Sequence, residues 1–151
     1  MLCDLNREPK LGFDDASFDA VLCVVSIDHL SRPREVIAEF HRVLRPGGRV
    51  LLSFSNRCFP TKAVQGWLSL DDASRQKMVA SYFTYSPAAG AAGWADIGAE
   101  KLPEVKKTPV ANEVGGFLGS LLGGSAEVFQ AVLGGRLGDP MYMVSATKAE
   151  L

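Results

Sequence analysis

Asp28 and His29 stand side by side between an apolar run, Ala20 to Ile27, and a stretch that turns helical at Pro33. A histidine placed there is the natural general base near neutral pH. The pair would lie near a substrate pocket, with Asp28 as a substrate contact. The competing reading of His29 is a capping or packing residue. Asn56 and Arg57 follow a second apolar run, Val50 to Phe54. The planar fork of Arg57 suits an anionic substrate group, and an ordinary salt bridge is the alternative. Cys23 lies inside the first run with no cation placed to depress its pKa. It reads as a small core residue and not as a nucleophile. His41 falls among charged residues and is expected to be solvated.

The elements that must position these residues are legible. Ala20 to Ile27 is apolar without alternation, as in a strand buried on both faces. Ser31 or Arg32 can cap the next helix, with Pro33 in its first turn. Val36, Ile37, Phe40, Val43 and Leu44 form one helical face, and Arg34, Glu35, Glu39 and Arg42 fall mainly on the other side. Pro46 stops the helix, and Gly47-Gly48 permit a turn into the second strand, Val50 to Phe54. Strand, helix and strand of these lengths predict a right-handed βαβ unit. Further on, Lys62 to Leu68 reads as helical. Asp71 or Asp72 opens a helix that runs to about Phe83. The chain is read as a single domain, with a core over 1–85 and a small-residue linker over 86–93. Strands over 94–102 and 141–147 follow, separated by a Gly-rich insertion over 110–139.

Composition narrows the function classes. The 151 residues carry a net charge of −1, with 47% hydrophobic residues. That balance gives no electrostatic reason to expect a nucleic-acid partner. Three cysteines without CxxC spacing argue against a disulfide framework or a zinc site, and fit a reducing, cytoplasmic compartment. No uncharged apolar run approaches the roughly 20 residues of a membrane span. Gly115, Gly119 and Gly123 form overlapping GxxxG steps. These are read as part of a loosely helical insertion, with a helix-packing or membrane-surface segment as the alternative.

Three segments carry a family resemblance. Asp4-Leu5-Asn6 is followed by Phe13-Asp14-Asp15-Ala16-Ser17-Phe18-Asp19. Then comes the strand–helix–strand from Phe18 to Phe54, and then Ser55-Asn56-Arg57-Cys58-Phe59-Pro60-Thr61-Lys62-Ala63. Together they resemble the second half of a class I S-adenosylmethionine-dependent methyltransferase of the type-11-like group. The resemblance implies a partial Rossmann-like α/β fold, with a mainly parallel sheet, an antiparallel last strand and helices on the faces. It implies S-adenosylmethionine as cofactor and a small-molecule substrate. Asp4 maps to the carboxylate that accepts from the adenine amino group, with Leu5 beside it. Cys23 and Val24 map to the wall that passes the methionine part of the cofactor. His29 remains a candidate catalytic base, although many relatives act mainly by proximity and in-line approach.

The family's D/E-x-G-x-G-x-G loop is not in this sequence. Fifteen glycines are present, and none is separated from another by a single residue. Family sheet order also implies an open apolar edge at the Ala20 strand, available to a missing N-terminal half or to self-association. The expectation is methyl transfer inherited from the family and incomplete in this chain alone, with weak cofactor binding. A non-catalytic protein-binding module and a gene-model fragment stand as alternatives.

Overall fold

The computed structural model describes residues 3–86, 93–103 and 139–150. Four strands form one sheet: β1 (Phe18–Val24), β2 (Leu44–Ser55), β3 (Trp94–Lys101) and β4 (Met141–Lys148). The helices are α1 (Pro33–Val43), α2 (Gln65–Leu68) and α3 (Asp72–Thr84), with a 3-10 turn at Ile27–His29. Strand order is β1-β2-β4-β3. β1 and β2 pair in parallel, with Val21 opposite Val50 and Cys23 opposite Leu52. β4 inserts between β2 and β3, antiparallel to both. Three strands thus run one way and the last runs against them, as the sequence implied.

The βαβ unit forms for the reasons its residues suggest. Pro33 opens α1, where its missing N–H costs little, and Val36, Ile37, Phe40 and Val43 are buried along one face. The helix ends where Leu44 turns extended, at φ −76° and ψ 141°. β2 starts there, six residues earlier than its apolar run suggests, because Phe18 already pairs with Leu44 before the register shifts. Gly47 makes the bend at φ +75°, and a Cβ on Gly48 would lie 2.8 Å from the Arg45 carbonyl oxygen. Val50 to Ser55 of β2 are buried throughout. The main core joins α1 to Leu52 and Phe54 of β2, Val79 and Phe83 of α3, Val144 of β4, and Trp67.

Several expectations need correction. The run Ala20 to Ile27 is not a strand buried on both faces. β1 stops at Val24, lies at an edge of the described sheet, and leaves Leu22 45% exposed. Val25 sits at φ +46°, a costly conformation for a β-branched residue. Its N–H still donates to the Ser53 carbonyl at 2.9 Å, so the chain kinks without leaving the sheet and turns Ile27 and Asp28 inward. Neither Ser31 nor Arg32 caps α1 through its side chain. Arg32 holds the N-cap position without a side-chain cap bond, and the Ser31 hydroxyl bonds to Asn6 instead. Lys62 to Val64 are not helical. A turn closes at Phe59–Ala63, and Val64 is extended because its N–H donates to the Asp28 carbonyl at 2.9 Å. The cap on α3 is Asp71, which accepts from the Ser74 N–H at 2.7 Å.

His41 is buried, 8% exposed, not solvated. Its Nε2 lies 3.0 Å from the Gly93 carbonyl, and its ring meets Trp94 edge-on at 5.0 Å. The polar side of α1 is also covered. Glu39 accepts from the Leu11 N–H, and Arg42 pairs with both Glu39 and Asp15, so the 11–15 loop is clasped to the helix. The linker over 86–93 and the Gly-rich stretch over 110–139 lie, apart from Ser86, Gly93 and Asp139, outside the described residues.

Candidate functional site

At the carboxyl ends of β1 and β2 the chain brings four segments together. Ligands of open α/β sheets bind at that end. The kink at Val25 feeds the turn Ile27–His29, in which Asp28 is only 5% exposed. His29 packs beside it, with Nε2 3.4 Å from Asp28 Oδ2. That nitrogen is buried and has no hydrogen-bond partner, so the inner edge of the ring faces the carboxylate and Nδ1 is the other available nitrogen. Burial pushes the Asp28 carboxyl above its usual range, while the nearby His29, a backbone hydrogen bond and, least, Arg75 pull it back.

Asn6 connects this turn to the segment that holds Asp4. Its amide donates to the His29 carbonyl at 3.0 Å and accepts from the Ser31 N–H at 2.8 Å. An Asn side chain can do both at once. Asp4 accepts the Asn6 N–H at 3.0 Å and pairs with Arg7 at 3.5 Å, and its carboxylate stays largely open to solvent. Leu5 packs on the edge of the core. Cys23 and Val24 are half-buried at the end of β1. Burial, with a contribution from the Asp28 charge, pushes the Cys23 thiol up to about 11. It is therefore a protonated, apolar wall near neutral pH.

The 56–67 segment forms the other side. The Phe59 ring is 65% exposed, with its centroid 6.4 Å from that of His29 and the Lys62 ammonium 5.8 Å from its own centre. Arg57 is paired with Asp139 at 3.2 Å, which is the salt-bridge alternative, and Asn56 points its carbonyl at Arg75. The structure thus gathers Asp4 and Leu5 with Asp28 and His29 through Asn6, and sets Asn56 and Arg57 on the adjoining loop.

Two residues of this site had no role in the sequence reading. Asn6 was visible only as part of a motif. Arg75 is the larger omission. It is 9% exposed, stacks over Trp67 at 5.6 Å, and donates to the carbonyls of Trp67 and Asn56 and to Asp72. Asp72 in turn accepts from the Tyr142 hydroxyl at 2.5 Å. Burial and that bond push the Tyr142 phenol up to about 12. A signal existed: Arg75 precedes Val79 by four residues and Phe83 by eight, on the buried stripe of α3. Among the described residues no cluster of side chains suits a metal ion, and no helix is long and apolar enough to cross a membrane.

The Asp28–His29 pair can take up a proton, and an open carboxylate with a small apolar wall can receive a ligand carrying an amino group. A family model described as a methyltransferase domain matches residues 3–52. Ubiquinone biosynthesis O-methyltransferases from Pseudomonas aeruginosa and Dechloromonas aromatica are 45% identical to this chain over 40 residues, which is 26% of this chain and 17% of theirs. Among solved structures, a SAM dependent methyltransferase from Archaeoglobus fulgidus aligns over 98% of this chain and 66% of its own, with TM-score 0.52 and 14% identity. The [4+2]-cyclase SpnF aligns over 93% of this chain and 54% of its own, with TM-score 0.52 and 17% identity. At such identity the structural likeness shows the fold alone, and one of the two is a cyclase by name. The reaction has to be argued from the residues.

Proposed function

We propose, for a chain that carries a stretch of a class I S-adenosylmethionine-dependent methyltransferase domain, that the Asp28–His29 end of the sheet is a methyl-transfer site acting on a small molecule. The observation that carries this reading is a buried carboxylate against a histidine, within the segment that matches the methyltransferase domain. The names of the O-methyltransferase relatives favour a hydroxyl oxygen as the acceptor.

The residues present fit one part of the cofactor. Asp4 keeps acceptor lone pairs open to solvent, as a partner for an adenine amino group requires. Leu5, Cys23 and Val24 offer the apolar surface. No glycine loop in this sequence serves the other part. S-adenosylmethionine, when bound, supplies an electrophilic methyl group on a sulfonium. His29 accepts the proton of the acceptor hydroxyl at Nδ1, and Asp28 stabilises the imidazolium from the Nε2 side. The 56–67 segment shields that side from water and orients the acceptor against the exposed ring of Phe59. Arg57 and Asn56 border the substrate end.

The test is transfer of isotopically labelled methyl from S-adenosylmethionine to catechol, chosen as a simple aromatic hydroxyl. It is run with the chain alone and with the chain fused to a D/E-x-G-x-G-x-G segment. Label on oxygen that disappears in His29→Ala supports the reading. A fused chain that binds cofactor and methylates catechol equally well without His29 removes the proton-acceptor role.

One observation favours a second reading, a protein-binding module. β1 is an edge of the described sheet, with Leu22 exposed along it. An unpaired apolar edge is a site for strand addition. A stable complex that leaves labelled methyl transfer at zero would favour this reading over the enzyme.

A further inference from the structure

We propose that Arg75 is the positioning residue of the Asp28–His29 site: its fork pins both ends of the 56–67 segment, which bonds to the Asp28 backbone. The proposal deepens the methyl-transfer reading and rests on it for the purpose of the site, though its geometry stands independently.

The argument starts from the cost of burial. A guanidinium that is 9% exposed persists only if its donors find acceptors. Arg75 finds three, and they come from three places. Nε donates to the Trp67 carbonyl at the end of the segment, at 3.2 Å. Nη1 reaches the Asn56 carbonyl at its beginning, at 3.4 Å, and Asp72 on its own helix, at 3.2 Å. One side chain therefore pins both ends of the 56–67 segment. Between those ends the Val64 N–H donates to the Asp28 carbonyl at 2.9 Å. That bond is the one that sets the segment against the turn carrying Asp28 and His29. The Trp67 ring lies under the guanidinium, and Tyr142 from β4 fixes the Asp72 carboxylate by its hydroxyl. α3, β4 and the 56–67 segment are thus tied to one cation. A lysine could not reproduce this, since it is a point charge without a fork.

The electrostatic part follows from what surrounds Asp28. From β1 the titratable neighbour is Cys23, whose thiol stays protonated. From its own turn it is His29. From α3 it is the Arg75 guanidinium. β2 contributes no ionisable side chain between Leu51 and Ser55. On the 56–67 segment, Arg57 pairs with Asp139 and Lys62 lies over Phe59. Burial favours a neutral Asp28, which would be of no use to an imidazolium. His29, a backbone hydrogen bond and then the Arg75 charge oppose that burial without overcoming it.

The experiment uses the whole 151-residue chain and needs neither cofactor nor substrate. Asp28 is followed by the carbon-13 shift of its carboxyl through a pH titration. Val64 is followed by amide hydrogen exchange. In Arg75→Met, Val64 exchange is expected to accelerate about tenfold or more, the equivalent of losing one charge-assisted hydrogen bond. The Asp28 midpoint is expected to move upward, while the amides of Leu51 and Leu52 stay protected. In Arg75→Lys, which keeps the charge, the Asp28 midpoint should stay near that of the parent chain while Val64 exchange still accelerates. An unchanged Asp28 midpoint and unchanged Val64 exchange in Arg75→Met, with the core protected, would overturn the proposal. If Arg75→Met does not fold, Arg75→Lys alone decides: Val64 exchange that stays as in the parent chain refutes the fork. A failure to bind S-adenosylhomocysteine would count against the methyl-transfer reading and leave both readouts where they were.

Discussion

The two ends of this sheet each hold a histidine, and they use it in opposite ways. At the carboxyl ends of β1 and β2, His29 lies against the buried Asp28 carboxylate, with one ring nitrogen facing inward and unpartnered. At the other end, His41 lies among Gly93, Trp94 and Lys148. There the Lys148 ammonium donates to the carbonyls of His41 and Leu44, at 2.9 and 2.7 Å, closing the last turn of α1. Burial holds the His41 ring below its ordinary pKa, against the Gly93 hydrogen bond, which raises it, and with a smaller push from that ammonium. One ring lies against a buried carboxylate, and the other near an ammonium.

The comparison is broken most forcefully by exchanging the effects of the two histidines. His29→Ala should lower methyl transfer by about 10²–10⁴-fold in the glycine-loop fusion, the usual worth of a general base. It should leave the thermal midpoint within a few degrees. His41→Ala should do the reverse, lowering stability with transfer per folded molecule unchanged. Rate measurements paired with thermal melts check both, and a transfer loss in His41→Ala would dissolve the distinction. Next in size is Lys148→Met. Two carbonyls at the end of α1 lose a charged donor, which should cost about 1.5–3 kcal/mol by urea denaturation. A cost within about 0.5 kcal/mol would mean that water serves those carbonyls equally well.

Acid should separate the ends further. The folded chain holds His41 below its ordinary value of 6.5, so between those two pKa values the unfolded chain binds more protons. Stability from this end is present above pH 6.5 and is lost as pH falls below it. Asp28 has the opposite sign. Its folded pKa lies above 3.8, so its contribution is fully present below that value and fades as pH rises through the folded pKa. The His41 share of the urea midpoint should therefore fall with acid between pH 7 and 5, and His41→Gln should remove that share. A slope that survives His41→Gln would place the titrating group elsewhere. The smallest expected effect is at Val25. Asn tolerates the left-handed region better than a β-branched residue does, so Val25→Asn should stabilise by up to about 1 kcal/mol. A clear loss would show that the Val25 side chain contributes more by packing than its backbone costs.

Much of the α1 end was legible because its signals are local. The apolar face Val36, Ile37, Phe40 and Val43, the opening Pro33 and the turn at Gly47 are short-range patterns, and each formed as read. The parallel pairing of β1 with β2 followed from two apolar runs joined by one helix. Failures came where a long-range partner overrode the local pattern. His41 looked solvated among charges, but Trp94 and Gly93 lie more than fifty positions away. Arg75 had no role in the sequence reading, because the fold alone brings the Trp67 and Asn56 carbonyls to it. Val25 read as one more strand residue, since no propensity marks a β-branched side chain for a positive φ. At the candidate site, residue types were visible in Asp4, Asp28 and His29. Their connection was not, because it runs through the amide of Asn6 to a carbonyl 23 positions away.

The central claim is that Asp4, Leu5, Cys23 and Val24 form a cofactor wall beside the Asp28–His29 pair. It is tested most directly by titrating S-adenosylhomocysteine into the isotopically labelled chain and following backbone amide shifts. The sequence lacks the glycine loop, and two or three contacts at about 1.5–3 kcal/mol each separate a micromolar site from a millimolar one. The account predicts saturable shifts at Asp4, Leu5, Cys23 and Val24 with millimolar affinity, weakened in Asp4→Ala. Shifts confined to other residues, or micromolar binding that ignores Asp4→Ala, would contradict it.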